Sequence, residues 1–212
     1  MAAESTYTSP RYFMADEMTK SHPARLRAGD YEWLKGRILD IGCGPDPLRV
    51  VPPNTVVEWD LAQGDATHLA TVEDESFDNV VSAHCLEHLH DPETALRNWS
   101  RVVRQGGHVY ILVPLYSCYE KFKDFQFGTA NAGRFNDDHK TSWDLINLEH
   151  PPQNHRHFGY KEIVCLGKQA DLTLVDLRTE VDHFPWSRWE DRDFDPTQHG
   201  ALAQLCIIYQ KL

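Results

Sequence analysis

The run Ile38-Leu39-Asp40-Ile41-Gly42-Cys43-Gly44 constrains the fold more than any other stretch of this chain. An apolar run that holds one acidic residue and closes on two glycines has the pattern of a buried parallel strand followed by a sharp turn. Glycine has no Cβ, so such a turn can take positive φ and lay its backbone against a small-molecule ligand.

Other segments extend the pattern. Thr55–Asp60, Phe77–Ala83, His108–Val113, Leu172–Leu177 and Leu205–Tyr209 are short, apolar and rich in β-branched residues, which predicts strands. Asp91 and Pro92 supply an N-cap and a first-turn proline for a helix over 93–103, where Leu96, Trp99, Val102 and Val103 recur at helical spacing. The pair Gly106-Gly107 is expected to end that helix, and a second helix is predicted over 161–170. Strands alternating with helices give an α/β layered fold with a largely parallel sheet. The last two β segments have no clear helix between them and suit an antiparallel edge.

No Gly/Ser-rich or Pro-rich linker divides the 212 residues, so one domain over 1–212 is expected, with 1–30 as an N-terminal cover. Residues 115–158 break the alternation. They carry Tyr116, Tyr119, Phe122, Phe125, Phe127, Phe135 and Trp143 with His139, His150, His155 and His157. An insertion after a strand's C-terminal end lies over the ligand-binding edge of an open sheet, so this segment is read as a substrate cap.

Composition narrows the partners. The formal net charge is −11 and Lys and Arg form only short groups, which disfavours a nucleic-acid backbone as partner. No apolar stretch approaches the roughly 18 to 20 residues that span a bilayer, and MAAESTYTSP lacks the basic and apolar regions of a signal peptide, so a cytoplasmic chain without a membrane partner is expected. Cys43, Cys85, Cys118, Cys165 and Cys206 are widely spaced and form no CxxC pair, consistent with reduced thiols. Oligomeric state is left open by the sequence.

Four stretches, in order, resemble the class I S-adenosylmethionine-dependent methyltransferases, especially the methyltransferase-11 type: LDIGCGP at 39–45, EWDLAQGDATHL at 58–69, FDNVVSAHCLEHLHDPETAL at 77–96 and VVRQGGHVYILVP at 102–114. The resemblance implies a Rossmann-like, mostly parallel sheet with helices on both faces and an antiparallel C-terminal edge strand. It also implies S-adenosylmethionine as cofactor. Carried over residue by residue, Asp40, Gly42, Cys43 and Gly44 line the methionine part. Asp60, followed by Leu61, accepts hydrogen bonds from the ribose hydroxyls, Asp65 and Ala66 hold the adenine edge, and Ala83 to Cys85 pass beneath the cofactor. A dinucleotide-binding loop is the competing reading of the glycines, but it requires G-x-G-x-x-G, and the chain has Gly42-Cys43-Gly44-Pro45-Asp46-Pro47.

The chain departs from this family at two places. Asp46, flanked by Pro45 and Pro47, replaces a third glycine, so the first helix cannot begin in the usual way. Asp65 follows Asp60 by only five positions, where the family fits a helix and a strand.

A second constellation is His84-Cys85-Leu86-Glu87-His88, which starts at the tip of a strand rather than inside the helix that an H-x-x-E-H zinc peptidase requires. It is similar instead to the E-x-x-E-H of small-RNA ribose and some quinone-ring O-methyltransferases, which bind a divalent ion there. The small-RNA enzymes add a histidine from D-H-x-x-x-W, matched here by Asp138-His139-Lys140-Thr141-Ser142-Trp143. On that likeness His84, Glu87, His88 and His139 form a divalent metal site that grips adjacent substrate hydroxyls, with a donor set suited to Zn²⁺, Mn²⁺ or Fe²⁺. The plain alternative is that LEHL starts a helix and makes local hydrogen bonds. Without metal, His84 or His139 is the candidate general base.

These readings converge on a methyltransferase acting on an oxygen, with nitrogen second, of a small polar or glycan-like metabolite. The alternatives are a non-catalytic cofactor-binding partner subunit and an RNA ribose 2′-O-methyltransferase.

Overall fold

The computed structural model describes Met18 and residues 21–116, 138–147, 156–180 and 204–212. Strands β1 (Arg37–Ile41), β2 (Thr55–Trp59), β3 (Phe77–Ala83) and β4 (Val103–Pro114) pair in parallel. Two short strands, β5 (Thr141–Trp143) and β6 (Arg156–Phe158), form a separate parallel pair. Strands β7 (Leu172–Glu180) and β8 (Gln204–Lys211) complete the main sheet, whose order is β2-β1-β3-β4-β8-β7. β8 runs antiparallel to both β4 and β7, so the last two strands make the antiparallel edge pair that their spacing predicts.

Both faces of the sheet are covered, which is why its central strands are apolar almost throughout. On one face, helices α2 (Pro92–Val102) and α3 (Tyr160–Gln169) bury Leu96, Trp99, Ile163 and Leu166 against Leu39, Val80, Val109, Ile111 and Ile207. On the other, Met18, Leu34 and Leu48 pack on Ile38, Val81, Tyr110, Leu112 and Ile208, beside helix α1 (His22–Ala28).

Helix α2 begins as its sequence predicts. Asp91 accepts from the Thr94 N–H at 2.9 Å and from its hydroxyl at 2.7 Å, and these bonds hold the carboxyl below its ordinary pKa. Its end differs from expectation. The helix stops at Val102, and Gly106-Gly107 lies inside β4 rather than closing the helix. The reason is steric: a Cβ on Gly107 would collide with the carbonyl oxygen of Asp78, beside the register irregularity between Phe77 and Asn79.

Between β1 and β2, and between β2 and β3, the chain runs in turns without helix, as the Pro45-Asp46-Pro47 step and the short Asp60–Asp65 interval suggest. Of the expected cap, the described part is Leu115, Tyr116 and residues 138–147 and 156–158. There Trp143 stacks on Phe158 with ring centres 4.3 Å apart and bridges to Leu115. Tyr119, Phe122, Phe125, Phe127, Phe135, His150 and His155 lie outside the described residues, as do Cys118 and most of the expected 1–30 cover.

Trp99 is, with Trp143, one of the two largest fully buried side chains among the described residues, and its indole N–H donates to the Ala66 carbonyl at 2.8 Å. It thereby pins the helix-free connection after β2 onto α2. Trp99→Ala is expected to cost about 3–5 kcal/mol in urea unfolding. Trp99→Phe, which keeps most of the apolar surface but orphans the carbonyl, should cost less, about 1–3 kcal/mol.

Candidate active site at the strand tips

Ile41, the last residue of β1, is paired with Trp59 of β2 and Ser82 of β3. The residues just beyond these three strand ends therefore gather at one edge. Gly42, at φ +71°, donates its N–H to the Trp59 carbonyl at 2.7 Å. A Cβ there would sit 2.5 Å from the Cβ of Cys85, so the missing side chain makes room for the β3 tip. Gly44 is also left-handed, at φ +53°. Its N–H donates to Asp60 Oδ2 at 2.9 Å, while Asp60 Oδ1 accepts from Leu61 N–H at 2.7 Å. Asp60 thus ties the glycine turn to the end of β2. Each carboxylate oxygen has about two lone-pair directions, so one on each oxygen is left for a further donor.

Asp40 is fully buried, and its Oδ2 accepts the Leu48 N–H at 2.6 Å, closing the loop that follows the glycines. Its Oδ1 has no hydrogen-bond partner among the described residues. Burial, only partly offset by the Leu48 bond and by Arg25, pushes the Asp40 carboxyl up to about 7. Burial likewise pushes the Cys43 thiol up to about 11 and Cys85 up to about 12, so both remain thiols at neutral pH.

The remaining sequence-predicted cofactor residues occupy different settings. Leu61 is 91% exposed. Asp65 is exposed and accepts from Thr67 N–H at 2.7 Å, with His68 Nδ1 at 2.8 Å, so it shapes its own turn and its pKa is held down chiefly by His68. Ala66 is half-buried against the α2 core, and Ala83 is half-buried at the end of β3.

Beyond Ala83, His84 adopts φ +53° and Leu86–His88 form one turn of 3₁₀ helix. This turn buries Glu87 at 1% exposure and receives the segment before β5, whose Lys140 N–H donates to the Glu87 carbonyl at 2.7 Å. Buried His139 is thereby set against His88, ring centres 4.8 Å apart and nearly perpendicular. One ligand atom each of Glu87, His88 and His139 lies within 4.8 Å of the others. His84 stands beside them, its Nδ1 3.6 Å from Glu87 Oε1. The structure thus brings Glu87, His88 and His139 together and leaves His84 adjoining. Burial, reinforced by His139, lowers the pKa of His88.

The sequence reading missed Gln204 and Glu180, which join His84 from the far side. No local motif marks them; the antiparallel pairing of β8 with β4 and β7 supplies the contact.

Comparison with known proteins agrees with this architecture. The methyltransferase-11 family model, described as a methyltransferase domain, matches residues 48–111, from just past the glycine turn into β4. No curated protein matches the sequence. Among solved structures, a proposed S-adenosylmethionine-dependent methyltransferase of Listeria monocytogenes is similar over 93% of this chain and 99% of its own, at 10% identity and a TM-score of 0.57. A Methanosarcina mazei protein described as a SAM-dependent methyltransferase is similar over 88% of this chain and 97% of its own, at 15% identity and a TM-score of 0.50. The 1,6-didemethyltoxoflavin-N1-methyltransferase of Burkholderia thailandensis, with bound 1,6-didemethyltoxoflavin and S-adenosylhomocysteine, covers 92% of this chain and 79% of its own, at 18% identity and a TM-score of 0.50. At these identities the structural likenesses define the fold, which is the Rossmann-like methyltransferase fold. The matched segment, 48–111, is similar to a methyltransferase domain within that fold. Among the described residues no helix is long and apolar enough to cross a membrane.

Asp40 generates a pH prediction. Its folded pKa is raised, so between 3.8 and about 7 the folded chain binds more protons than the unfolded chain. Its contribution to stability is therefore greatest at low pH and falls as pH rises through that window. Asp40→Asn should remove this decline and raise the unfolding midpoint at neutral pH relative to wild type, as read by urea titrations across the window.

Proposed function

We propose that the strand-tip site binds S-adenosylmethionine between the glycine turn and Asp60 and transfers its methyl group to an oxygen of a small polar acceptor held at the Glu87–His88–His139 group. The convergence of that carboxylate and two imidazoles at the end of β3, beside the glycine turn, carries the reading.

The residues suit the cofactor. Two left-handed glycines let the turn lie close to a ligand, and Asp60 keeps one lone-pair direction on each oxygen for the two ribose hydroxyls. Leu61 and Ala66 offer apolar surface on the adenine side, with Asp65 at its edge, and Ala83 forms the floor. The bound cofactor supplies an electrophilic methyl group on a sulfonium sulfur. The acceptor oxygen forms the new C–O bond as the S–C bond breaks, with S-adenosylhomocysteine leaving. The protein's part is to hold the acceptor in line and to take its proton.

The histidines suit a divalent cation as well as a base. The Asp138 carbonyl, 3.3 Å from His88 Nδ1, can only accept, so Nδ1 carries the proton and Nε2 is the electron-pair nitrogen. That nitrogen faces Glu87 Oε1 at 3.8 Å. A lone pair opposed to a buried carboxylate is the arrangement a cation resolves. One oxygen and two nitrogens favour Zn²⁺, Mn²⁺ or Fe²⁺, and such an ion lowers the pKa of a coordinated hydroxyl. Acceptors with adjacent hydroxyls, small sugars or similar polar metabolites, fit this chemistry.

Isothermal titration of the purified chain with S-adenosylmethionine and S-adenosylhomocysteine tests the first step. Binding is expected, and Asp60→Ala should weaken it roughly tenfold to hundredfold, the loss of a charge-assisted pair of hydrogen bonds. Absence of binding in wild type overturns the reading, and binding without turnover on any hydroxylated acceptor favours a non-catalytic partner subunit.

Chelation tests the cation separately. Metal analysis is expected to find about one ion per chain, lost in His88→Ala and His139→Ala, with activity falling at least about tenfold on chelation and returning with Zn²⁺, Mn²⁺ or Fe²⁺. Full activity in metal-free protein leaves the histidines as general bases alone.

A further inference from the structure

Gln204, the first residue of β8, is fully buried and belongs to neither the glycine turn nor the histidine group. Its Nε2 donates to Glu180 Oε2 at 2.6 Å, and its Oε1 lies 3.1 Å from His84 Nε2. The first contact decides how the amide is turned. A carboxylate oxygen only accepts, so the NH₂ end faces Glu180 and the carbonyl end faces His84. Glu180 is itself anchored, because its Oε1 accepts from Arg178 at 2.8 Å. Arg178 also pairs with Asp30, which in turn accepts the Tyr110 hydroxyl at 2.7 Å.

The second contact then decides where His84 carries its proton. An amide carbonyl has no proton to give, so His84 Nε2 is the donor and Nδ1 is the electron-pair nitrogen of the neutral ring. Nδ1 is the atom that lies 3.6 Å from Glu87 Oε1.

We infer that Gln204, oriented by Glu180, is a positioning residue that holds His84 in its Nε2–H tautomer and so turns the Nδ1 lone pair toward the Glu87–His88–His139 group. The backbone of His84 supports this. A left-handed φ of +53° is strained for a residue with a Cβ, and it persists here because both ends of the residue are held. The N–H donates to the Leu112 carbonyl at 2.8 Å, while the ring is held through Nε2 by Gln204. Buried orienting partners of this kind are what keep a site imidazole in one tautomer. The tautomer stands on the geometry alone; its effect on turnover rests on the methyl-transfer reading above.

Nitrogen-15 NMR of the histidine rings tests it in the full chain, in chelator and at mildly alkaline pH, where an imidazole is neutral. Wild type is expected to show His84 with its proton on Nε2. Glu180→Gln, nearly isosteric, frees the Gln204 amide to turn either way and should convert the His84 signal to a tautomer mixture; Gln204→Leu should do so more completely. In turnover both variants are expected to lower kcat roughly tenfold to hundredfold while leaving KM for S-adenosylmethionine unchanged. A proton on Nδ1 in wild type, a mixed or doubly protonated wild-type ring, or an unaltered signal in E180Q overturns the inference. Wild type and E180Q decide it even where loss of Gln204 unfolds the chain. Because the spectrum is recorded without cofactor or cation, its failure is distinct from failure of the methyl-transfer reading.

Discussion

The parallel pairing of β1 with both β2 and β3 is the constraint on which the site depends. It aligns Ile41 with Trp59 and Ser82, so the chain must leave three neighbouring strands at one level. The glycine turn, Asp60 and the 83–88 tip become neighbours for that reason alone. Gly42 completes the arrangement by yielding its Cβ space to Cys85, and Asp60 fastens it by bonding Gly44. An open parallel sheet places ligands at such an edge as a consequence of its topology, before any particular side chain is chosen.

Three of the buried carboxylates are handled in different ways. Asp40 has one backbone donor and a pKa near neutrality, so it enters the folded interior at little charge cost. Asp30 is compensated by Arg178 and Tyr110, although burial still raises its pKa. Glu87 is surrounded by imidazoles from three places in the chain. Burying a carboxylate is costly unless it is protonated, paired or coordinated; Asp40 follows the first course and Asp30 the second.

Much of this was legible in sequence because it is local. The buried run before Gly42 reads as a central strand, the Asp91-Pro92 pair reads as a helix start, and the H-x-x-E-H spacing places Glu87 and His88 on one tight turn. The glycines at 106 and 107 misled for an instructive reason: a glycine pair commonly ends a helix, but here the close approach of the Asp78 carbonyl requires Gly107 inside a strand. Gln204 and Glu180 were invisible because their role comes from register between strands 24 residues apart in sequence, and no spacing rule reports register across a sheet. His139 could be suspected only by likeness; its placement beside His88 depends on the Lys140 bond to the 3₁₀ turn.

The position of β8 bears on how the protein assembles on the ribosome. β7 touches the main sheet only through β8, since the order runs β4-β8-β7. As the chain emerges from its N-terminal end, β1 to β4 can pair as soon as they are available, but β7 must wait, its edge unpaired, until residues 204–211 have been made. The last strand inserted is also the one that brings Gln204 to His84. The pairing of β7 and the arrival of Gln204 beside His84 thus depend on one and the same strand, so a change that loosens β8 loosens both at once.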